Sequence, residues 1–492
     1  MEYITSATKA AEIDRISIKE IGIPSVVLME KAAMAVADFI KSICDKDRSD
    51  VKILAVCGVG NNGGDGVAAA RLLKEAGFDV SIFIVGNMDK ASEEMHIQTK
   101  IAQSLDVRFI TKPNDNEYNV IIDALFGIGL SRDITGEFAE CIKWMNLQKS
   151  QVVAVDVPSG ISSDSGKVLG RAVKADYTVT FGYNKTGLLL YPGAGYAGNI
   201  MVADIGFPGK AFEMASPNIF TYTKEDIYTL MPPRRARTNK GSYGKVLVIA
   251  GSDDMSGACY FTAKAAYRMG CGLVYAATSE KNKDIIKLKL PEVIARSYEN
   301  GIEDALKMAD VIAVGPGLGM SDMAKELVQR VIAVDDKPVV MDADALNIYA
   351  KLKEQDKEKI NLGDNFVITP HLKEMSRLTK ASVDDIKDNI IKYSGMQSNG
   401  CTIVLKDART VVSNGDRYYI NTTGSNALAK GGSGDVLCGM IAGLIAQDME
   451  IFEAACLAVC IHGVAADAYT KDRSKYAMLA SDIIEILPEV LP

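Results

Sequence analysis

Residues 51–66 read Val51-Lys-Ile-Leu-Ala-Val-Cys57, then Gly58-Val-Gly-Asn-Asn-Gly-Gly-Asp-Gly66, and a helical pattern follows from Val67. An apolar run, a glycine-rich turn and a helix start make one strand–turn–helix unit. In an α/β fold this is where a phosphate is gripped, because free backbone N–H groups at a helix N-terminus point at an anion. Gly58, Gly60 and Gly63 match the spacing GxGxxG. That fingerprint also requires an acid at the end of the second strand to hold ribose hydroxyls. The second strand, 80–85, ends in Gly86-Asn87, and Asp79 stands before it. A hydride-transferring dinucleotide enzyme is therefore not expected, and the Asn-Asn-Gly-Gly-Asp core calls for another chemistry.

Apolar runs at 51–57, 80–85, 120–124, 152–157, 177–181 and 200–205 alternate with helical patterns at 67–76, 93–105 and 137–147. Two helical segments, 7–21 and 25–43, precede the first strand. The alternation predicts a mainly parallel sheet with helices on both faces. The pattern lapses across 206–235, where prolines, glycines and charge suggest an interdomain connection. It restarts at Lys245, with strands at 274–277, 311–314, 338–341, 366–369 and 402–405, and two closing helices at 435–446 and 452–469. Two α/β domains are expected, 1–215 and 225–492.

Composition narrows the class. The 492 residues carry 48% hydrophobic and 24% charged side chains, enough for packed cores under a soluble surface. The net charge of −8 is spread along the chain, without the basic blocks that nucleic acid requires. Nine cysteines without a CxxC pair suit a reducing cytoplasm, and three distant histidines do not suggest zinc. The apolar tract 454–468 is short for a membrane span, and the N-terminus lacks an apolar signal core. Small-molecule partners are expected, with a symmetric homo-oligomer as the default assembly.

Three strand ends in the first half carry polar residues: Asn61-Asn62-Gly63-Gly64-Asp65, Asp123, and Asp156 with Ser159. Ligands of open α/β sheets bind at those ends. Oxygen donors from Asn62, Asp123 and Ser159 can hold a hard cation, and Asp156 can shuttle a proton.

Together NNGGDG, DALFGIGLSRDITG and VDVPSGISSDSG resemble the NAD(P)H-hydrate epimerase family over roughly residues 1–210. The resemblance implies a Rossmann-like three-layer domain. It implies that Asn61, Asn62, Gly63, Gly64, Asp65 and then Gly127, Ile128, Gly129, Leu130, Ser131, Arg132 and Asp133 hold the hydrated nicotinamide nucleotide. By the same resemblance Asn62, Asp123 and Ser159 are potassium ligands, and Asp156 is the acid/base.

In the second half, Gly431-Gly432-Ser433-Gly434-Asp435 precedes an apolar helix. Glycines there make an anion hole for charge on a transferring phosphoryl group, and Asp435 at the helix start can take a hydroxyl proton. A P-loop is absent, since Gly241-Ser-Tyr-Gly-Lys245 runs into Val246. With the segments 251–258, 315–319, 339–347, 369–375 and 406–410, this resembles the ADP/ATP-dependent NAD(P)H-hydrate dehydratase family over roughly residues 225–492, a ribokinase-like α/β fold. The resemblance implies nucleotide contacts at Lys406, Asp407, Ala408, Arg409 and Thr410, and at Asn426, Ala427, Leu428, Ala429, Lys430, Gly431, Gly432, Ser433 and Gly434. It lines the hydrate site with Ala258, Gly317, Gly319, His371, Leu372, Lys373, Glu374 and Met375, and makes Asp435 the catalytic base. Magnesium and ADP are implied as well, with ATP as an alternative donor. Taken alone, His371 reads as a packed or capping histidine.

The expected activity is thus a two-headed repair of nicotinamide nucleotides: epimerisation of hydrated NADH and NADPH, and ADP-dependent dehydration of the S form. The alternative is a ribokinase-like vitamin or sugar kinase whose N-terminal Rossmann-like domain is a non-catalytic scaffold.

Overall fold

The structure is a computed structural model that describes residues 1–44, 47–355, 361–396 and 400–492. Two compact units divide it: residues 3–218, and residues 219–492 together with the first two residues.

Among the described residues the main sheet of the N-terminal unit has seven parallel strands. They are β1 (Lys52–Cys57), β2 (Asp79–Ile84), β3 (Arg108–Ile110), β4 (Val120–Ala124), β5 (Gln151–Val155), β6 (Tyr177–Phe181) and β7 (Asn199–Ala203), in the spatial order β3-β2-β1-β4-β5-β6-β7. Helices α1 (Ser25–Ile43), α2 (Asn61–Glu75), α3 (Glu93–Ser104) and α4 (Gly136–Leu147) belong to this unit. Along β1, Ile53, Ala55 and Cys57 join one buried cluster while Leu54 and Val56 join another. Side chains of a strand alternate between faces, so a strand covered on both sides must be apolar throughout. The strand order reverses between β1 and β4, and a crevice at their carboxyl ends is where such sheets bind ligands.

Three readings of the sequence need correction here. Helix α2 starts at Asn61, not Val67, so NNGGDG is helix rather than turn. Its glycines allow close approach: a Cβ at Gly63 would lie 1.8 Å from the Gly58 carbonyl oxygen, and one at Gly66 would lie 2.4 Å from Ala124 Cβ. Asp79 begins β2 opposite Lys52, at the amino end of the strand, where it still cannot meet a ligand at the carboxyl ends. The stretch 206–235 is not a bare connection: it folds into Gly209–Ala215, Ile219–Thr221 and Lys224–Leu230. Proline at the cap of the first and a Thr223–Asp226 capping box on the last account for those helix starts.

Among the described residues the C-terminal unit holds ten strands: β8 (Ile219–Thr221), β9 (Lys245–Ile249), β10 (Leu273–Thr278), β11 (Ile294–Ser297), β12 (Val311–Val314), β13 (Val339–Met341), β14 (Phe366–Ile368), β15 (Thr402–Leu405), β16 (Val411–Ser413) and β17 (Tyr418–Ile420). Their order is β11-β10-β9-β12-β13-β14-β15-β16-β17-β8. Pairing is parallel from β11 to β15 and antiparallel across β15-β16-β17. Helices α5 (Ser256–Arg268), α6 (Asp344–Gln355), α7 (Leu372–Thr379), α8 (Ser433–Ile445), α9 (Ile451–Asp472) and α10 (Ala480–Val490) belong to this unit. Helix α8 lies directly on α5: Cβ atoms at Gly439 and Gly443 would meet the carbonyl oxygens of Thr262 and Ala266 at 2.1 and 2.6 Å. That contact fixes the start of α8, where Thr262 donates to the Asp435 carbonyl at 3.1 Å. The apolar tract expected at 454–468 extends to the 22 residues of α9, long and apolar enough to cross a membrane by length and composition. It is instead a core helix, largely buried among α8, α10 and the sheet.

Candidate active sites

In the N-terminal unit the polypeptide leaves β5 through Asp156, which adopts φ 63°. That conformation is strained for a residue with a Cβ, and surrounding bonds must hold it. The Asp156 N–H donates to Val179 O at 2.8 Å. Its Oδ1 accepts from Lys185 Nζ at 2.6 Å, Thr180 Oγ1 at 3.0 Å and the Phe181 N–H at 3.2 Å. The Lys185 ammonium also donates to Thr180 Oγ1 at 2.9 Å and to Phe181 O at 2.8 Å, which uses all three of its hydrogens. Lys185 is 2% exposed, so its charge is held by these partners rather than by water. Oδ2 of Asp156 has no hydrogen-bond donor among the described residues.

Asp156 and Lys185 line a cavity of about 770 Å³. The cavity brings together Asn61, Asn62, Asp65, Gly127, Ile128, Gly129, Leu130, Ser131, Arg132 and Asp156. Gly63 and Gly64 are buried in α2 and do not line it, and Asp133 is exposed outside it. Asp14 and Glu94 arrive from other helices, and Ser25 donates to Glu94 at 2.6 Å. Burial pushes the Asp65 carboxyl well above the usual range, and repulsion from Asp156, Asp14 and Glu94 adds to it. Asp14 is raised by burial and then by Glu94 and Asp156.

Beyond this lining lies a second polar group. Asp123, at the end of β4, is fully buried, and its Oδ1 accepts the Ser159 hydroxyl at 2.6 Å while Oδ2 accepts the Ser159 N–H at 2.8 Å. Burial pushes its pKa up to about 6 against those bonds. Ser159 Oγ also accepts from the Phe126 N–H at 2.9 Å. The Asn62 amide sits close to the next residue, since a Cβ at Gly127 would lie 2.8 Å from Asn62 Oδ1.

In the C-terminal unit three adjacent parallel strands deliver Asp342, Thr369 and Lys406 just past their carboxyl ends. Asp342 Oδ1 accepts from Thr369 Oγ1 at 2.6 Å and from Lys406 Nζ at 2.7 Å. Asp435 lies in the first turn of α8, behind Gly432 at φ 91°. A Cβ at Gly434 would sit 3.4 Å from Lys406 Nζ and 3.6 Å from Asp342 Oδ2, so the glycine cradle rests over the ion pair. Burial pushes the Asp435 pKa up to about 6, with repulsion from Asp342 and Asp344 adding and Lys406 opposing.

The turns after β9 and β12 meet: a Cβ at Gly317 would lie 2.8 Å from Ala258 Cβ, and Ser252 N–H donates to Gly317 O at 2.6 Å. Gly319 N–H donates to Asp344 at 2.8 Å. His371 caps α7, its Nδ1 accepting from the N–H groups of Lys373 at 3.1 Å and Glu374 at 3.2 Å. Burial and then Lys406 lower its pKa, which keeps the imidazole neutral. Glu374 returns the cap and is raised by burial to about 7. Leu372 is half-buried and Lys373 exposed, whereas Met375 is completely buried, so its side chain belongs to the core. Asp407, Ala408, Arg409 and Thr410 form the β15–β16 turn. The run Asn426, Ala427, Leu428, Ala429 and Lys430 leads to the cradle, with Ala427 buried and Ser433 Oγ donating to Leu428 O at 2.9 Å.

Two family models match this chain, one described as YjeF-related protein N-terminus over residues 25–187 and one as NAD(P)H-hydrate dehydratase over residues 246–489. The bifunctional NAD(P)H-hydrate repair enzyme Nnr of Moorella thermoacetica is 34% identical over 516 residues, covering 99% of this chain and 96% of its own. Its counterpart in Coxiella burnetii is 35% identical over 489 residues and covers 96% of each chain.

The chain belongs to the bifunctional NAD(P)H-hydrate repair enzyme family.

Among solved structures, a ribokinase-like superfamily protein of Enterococcus faecalis aligns with a TM-score of 0.51 at 27% identity, covering 55% of this chain and 94% of that one. In this family member the two matched segments contain both candidate carboxylates and the lysines beside them. Sequence reasoning had not singled out Lys185, Asp14 or Glu94, and it held Asp342 only within the segment 339–347, without a role of its own. Asp342 carries the signal that marked Asp123 and Asp156, an acid directly after an apolar strand. Lys185 stands alone in a largely uncharged stretch, a weaker cue that only its pairing makes meaningful.

Proposed function

We propose that the N-terminal unit interconverts the R and S forms of hydrated NADH and NADPH, and that the C-terminal unit returns the S form to the dihydronicotinamide at the expense of ADP. The observation that carries this is the pair of acids, Asp156 and Asp435, each at a strand- or helix-end beside a lysine and a glycine-rich segment.

In the first unit the hydroxyl on ring carbon C6 takes a proton and leaves as water, because the adjacent ring nitrogen stabilises the cation. Water returns on either face. Asp156, fixed through Oδ1 and free at Oδ2, handles this proton. Asp65, its carboxyl pushed up by burial and neighbouring acids, lines the same cavity.

The oxygen donors Asn62, Asp123 and Ser159 fit potassium chemically. Asp123 is a buried carboxylate with no ion pair among the described residues, and the Asn62 Nδ2 position is a buried atom without a partner. Exchanging the two ends of that amide would present a bare carbonyl oxygen there. A bound cation would neutralise Asp123 and tie the Asn62 and Ser159 segments together.

In the second unit Asp435 takes the C6 hydroxyl proton as the oxygen attacks the terminal phosphoryl group of ADP, releasing AMP. The ring nitrogen then expels phosphate, and loss of a proton from C5 restores the ring double bond. N–H groups at the start of α8 and Lys406 stabilise the phosphoryl charge. Glu374 near Lys406 and Asp344 near Asp435 are hard oxygen donors that suit a magnesium-bound nucleotide. Magnesium supplies neutralisation of the phosphate charge when bound.

The test is incubation of mixed hydrate epimers with ADP and Mg²⁺, following dihydronicotinamide absorbance. The intact chain should consume both epimers, and Asp156→Asn should stop at the S fraction. A stable phosphorylated product would instead indicate a small-molecule kinase.

A further inference from the structure

A second concavity of about 360 Å³ lies along α6 and α7, and none of the roles above uses it. Its wall begins at Met320, the residue after Gly319, and runs along α6 and α7. Three cations, Lys351, Arg377 and Lys380, face it against one carboxylate, Glu354. In a chain of net charge −8 such a cluster is a local reversal of sign.

The cluster has a defined form. Arg377 NH1 donates to Asn347 Oδ1 at 2.7 Å, which orients the guanidinium fork. Lys380 pairs with Glu354. Lys351 is exposed and has no hydrogen bond or ion pair among the described residues. A guanidinium held on one side and an unpaired ammonium nearby form a receptor for phosphate oxygens.

Distance along the helices links this groove to the reacting centre. Arg377 follows the His371 cap by six residues, roughly 9 Å of helix, and Lys351 follows Asp344 by seven, about 10 Å. In a hydrated dinucleotide one ribose unit separates the ring from its pyrophosphate, a comparable span. We propose that this basic groove receives the pyrophosphate of the hydrated dinucleotide while its ring lies at Gly317, Gly319 and His371. The inference rests on the assignment of the dehydration reaction to this unit.

The shared chemistry is a phosphate anion, and ADP offers one too, so the test separates the two sources. The full chain is compared with Lys351→Gln, Arg377→Gln and Arg377→Lys on hydrated NADH and on the phosphate-free hydrated dihydronicotinamide riboside. Either Gln variant should raise KM for hydrated NADH about tenfold at unchanged kcat, the effect of one lost charged contact. Arg377→Lys should recover part of it, and KM for ADP and for the riboside should stay constant. In the wild type that KM should rise with ionic strength, more than in the variants.

The proposal is overturned if KM for hydrated NADH is unchanged, if ADP binding alone weakens, or if both hydrates weaken equally. Lys351 is exposed, so its variant is expected to fold and keeps the test decisive. Failure of the wild type to consume hydrated NADH would strike the parent assignment and the groove together; turnover with unaltered KM strikes the groove alone.

Discussion

The two candidate sites use the same ingredients, an acid and a lysine at the end of a parallel sheet, in opposite ways. In the N-terminal unit the lysine is bonded to the proposed acid itself, Lys185 to Asp156 at 2.6 Å. In the C-terminal unit the lysine is bonded to a different acid, Lys406 to Asp342 at 2.7 Å, and Asp435 stands beside the pair. The difference separates holding from poising. Asp156 needs its partner to keep a strained backbone and a buried charge in place, whereas Asp435 is left with a pKa raised to about 6, suited to taking a proton near neutrality.

Removing each acid in turn should separate the two sites most strongly. Asp435→Asn should lower the dehydration rate by about 10²–10⁴-fold, the usual scale for a general base, and leave epimerisation unaltered. Asp156→Asn should do the reverse. Epimer-resolved chromatography with and without ADP reads both activities, and a loss of both in either variant would show that the sites are not independent.

Lys185→Met comes next. It leaves a carboxylate unpaired where both partners were buried, a change that costs about 3–5 kcal/mol. The N-terminal unit should unfold at distinctly lower denaturant, followed by near-ultraviolet signals of that unit. Stability within 1 kcal/mol of wild type, on the scale of exposed pairs, would mean that water already reaches this ion pair.

A smaller effect concerns pH. Asp435 acts as a base only when ionised, so kcat/KM for dehydration should fall about tenfold per unit as pH drops below about 6. The profile is measured under saturating ADP. An acid limb centred near 4 instead would assign proton removal to a more ordinary carboxylate.

How much of this was legible beforehand depends on how local the cause is. Strands buried on both faces are unbroken apolar runs, so β1, β4 and β12 could be placed from the chain alone. Asp156 and Asp435 could be marked as candidates because an acid after an apolar run, or a glycine cradle before an apolar helix, is a local pattern. The start of α2 was not, since its glycines look like a turn when their cause is the Gly58 carbonyl and Ala124 packed against them. Asp14 and Glu94 carry no local mark, and Lys185 only the weak one of standing alone in an uncharged stretch. Their meaning arises when distant helices and strands close one cavity. The stretch 206–235 was misread because short capped elements share the composition of loops.

The finest test of the contrast is stability rather than rate. A carboxyl whose folded pKa is raised makes the folded state bind its proton more tightly than the unfolded chain does. Its contribution is therefore most favourable at low pH and is lost as pH rises through about 6. Asp435→Asn removes that penalty. At pH 7 it should stabilise the C-terminal unit by about 1–2 kcal/mol, after discounting for the partial exposure of the group, and the gain should vanish as pH falls toward 4. Asp156→Asn should show no such gain, because the same substitution there deprives Lys185 of its counter-charge. Denaturation of both variants at pH 7 and pH 4.5 measures the difference. Equal responses would mean that the two acids are held in the same way, and that the raised pKa of Asp435 is not stored as instability in the fold.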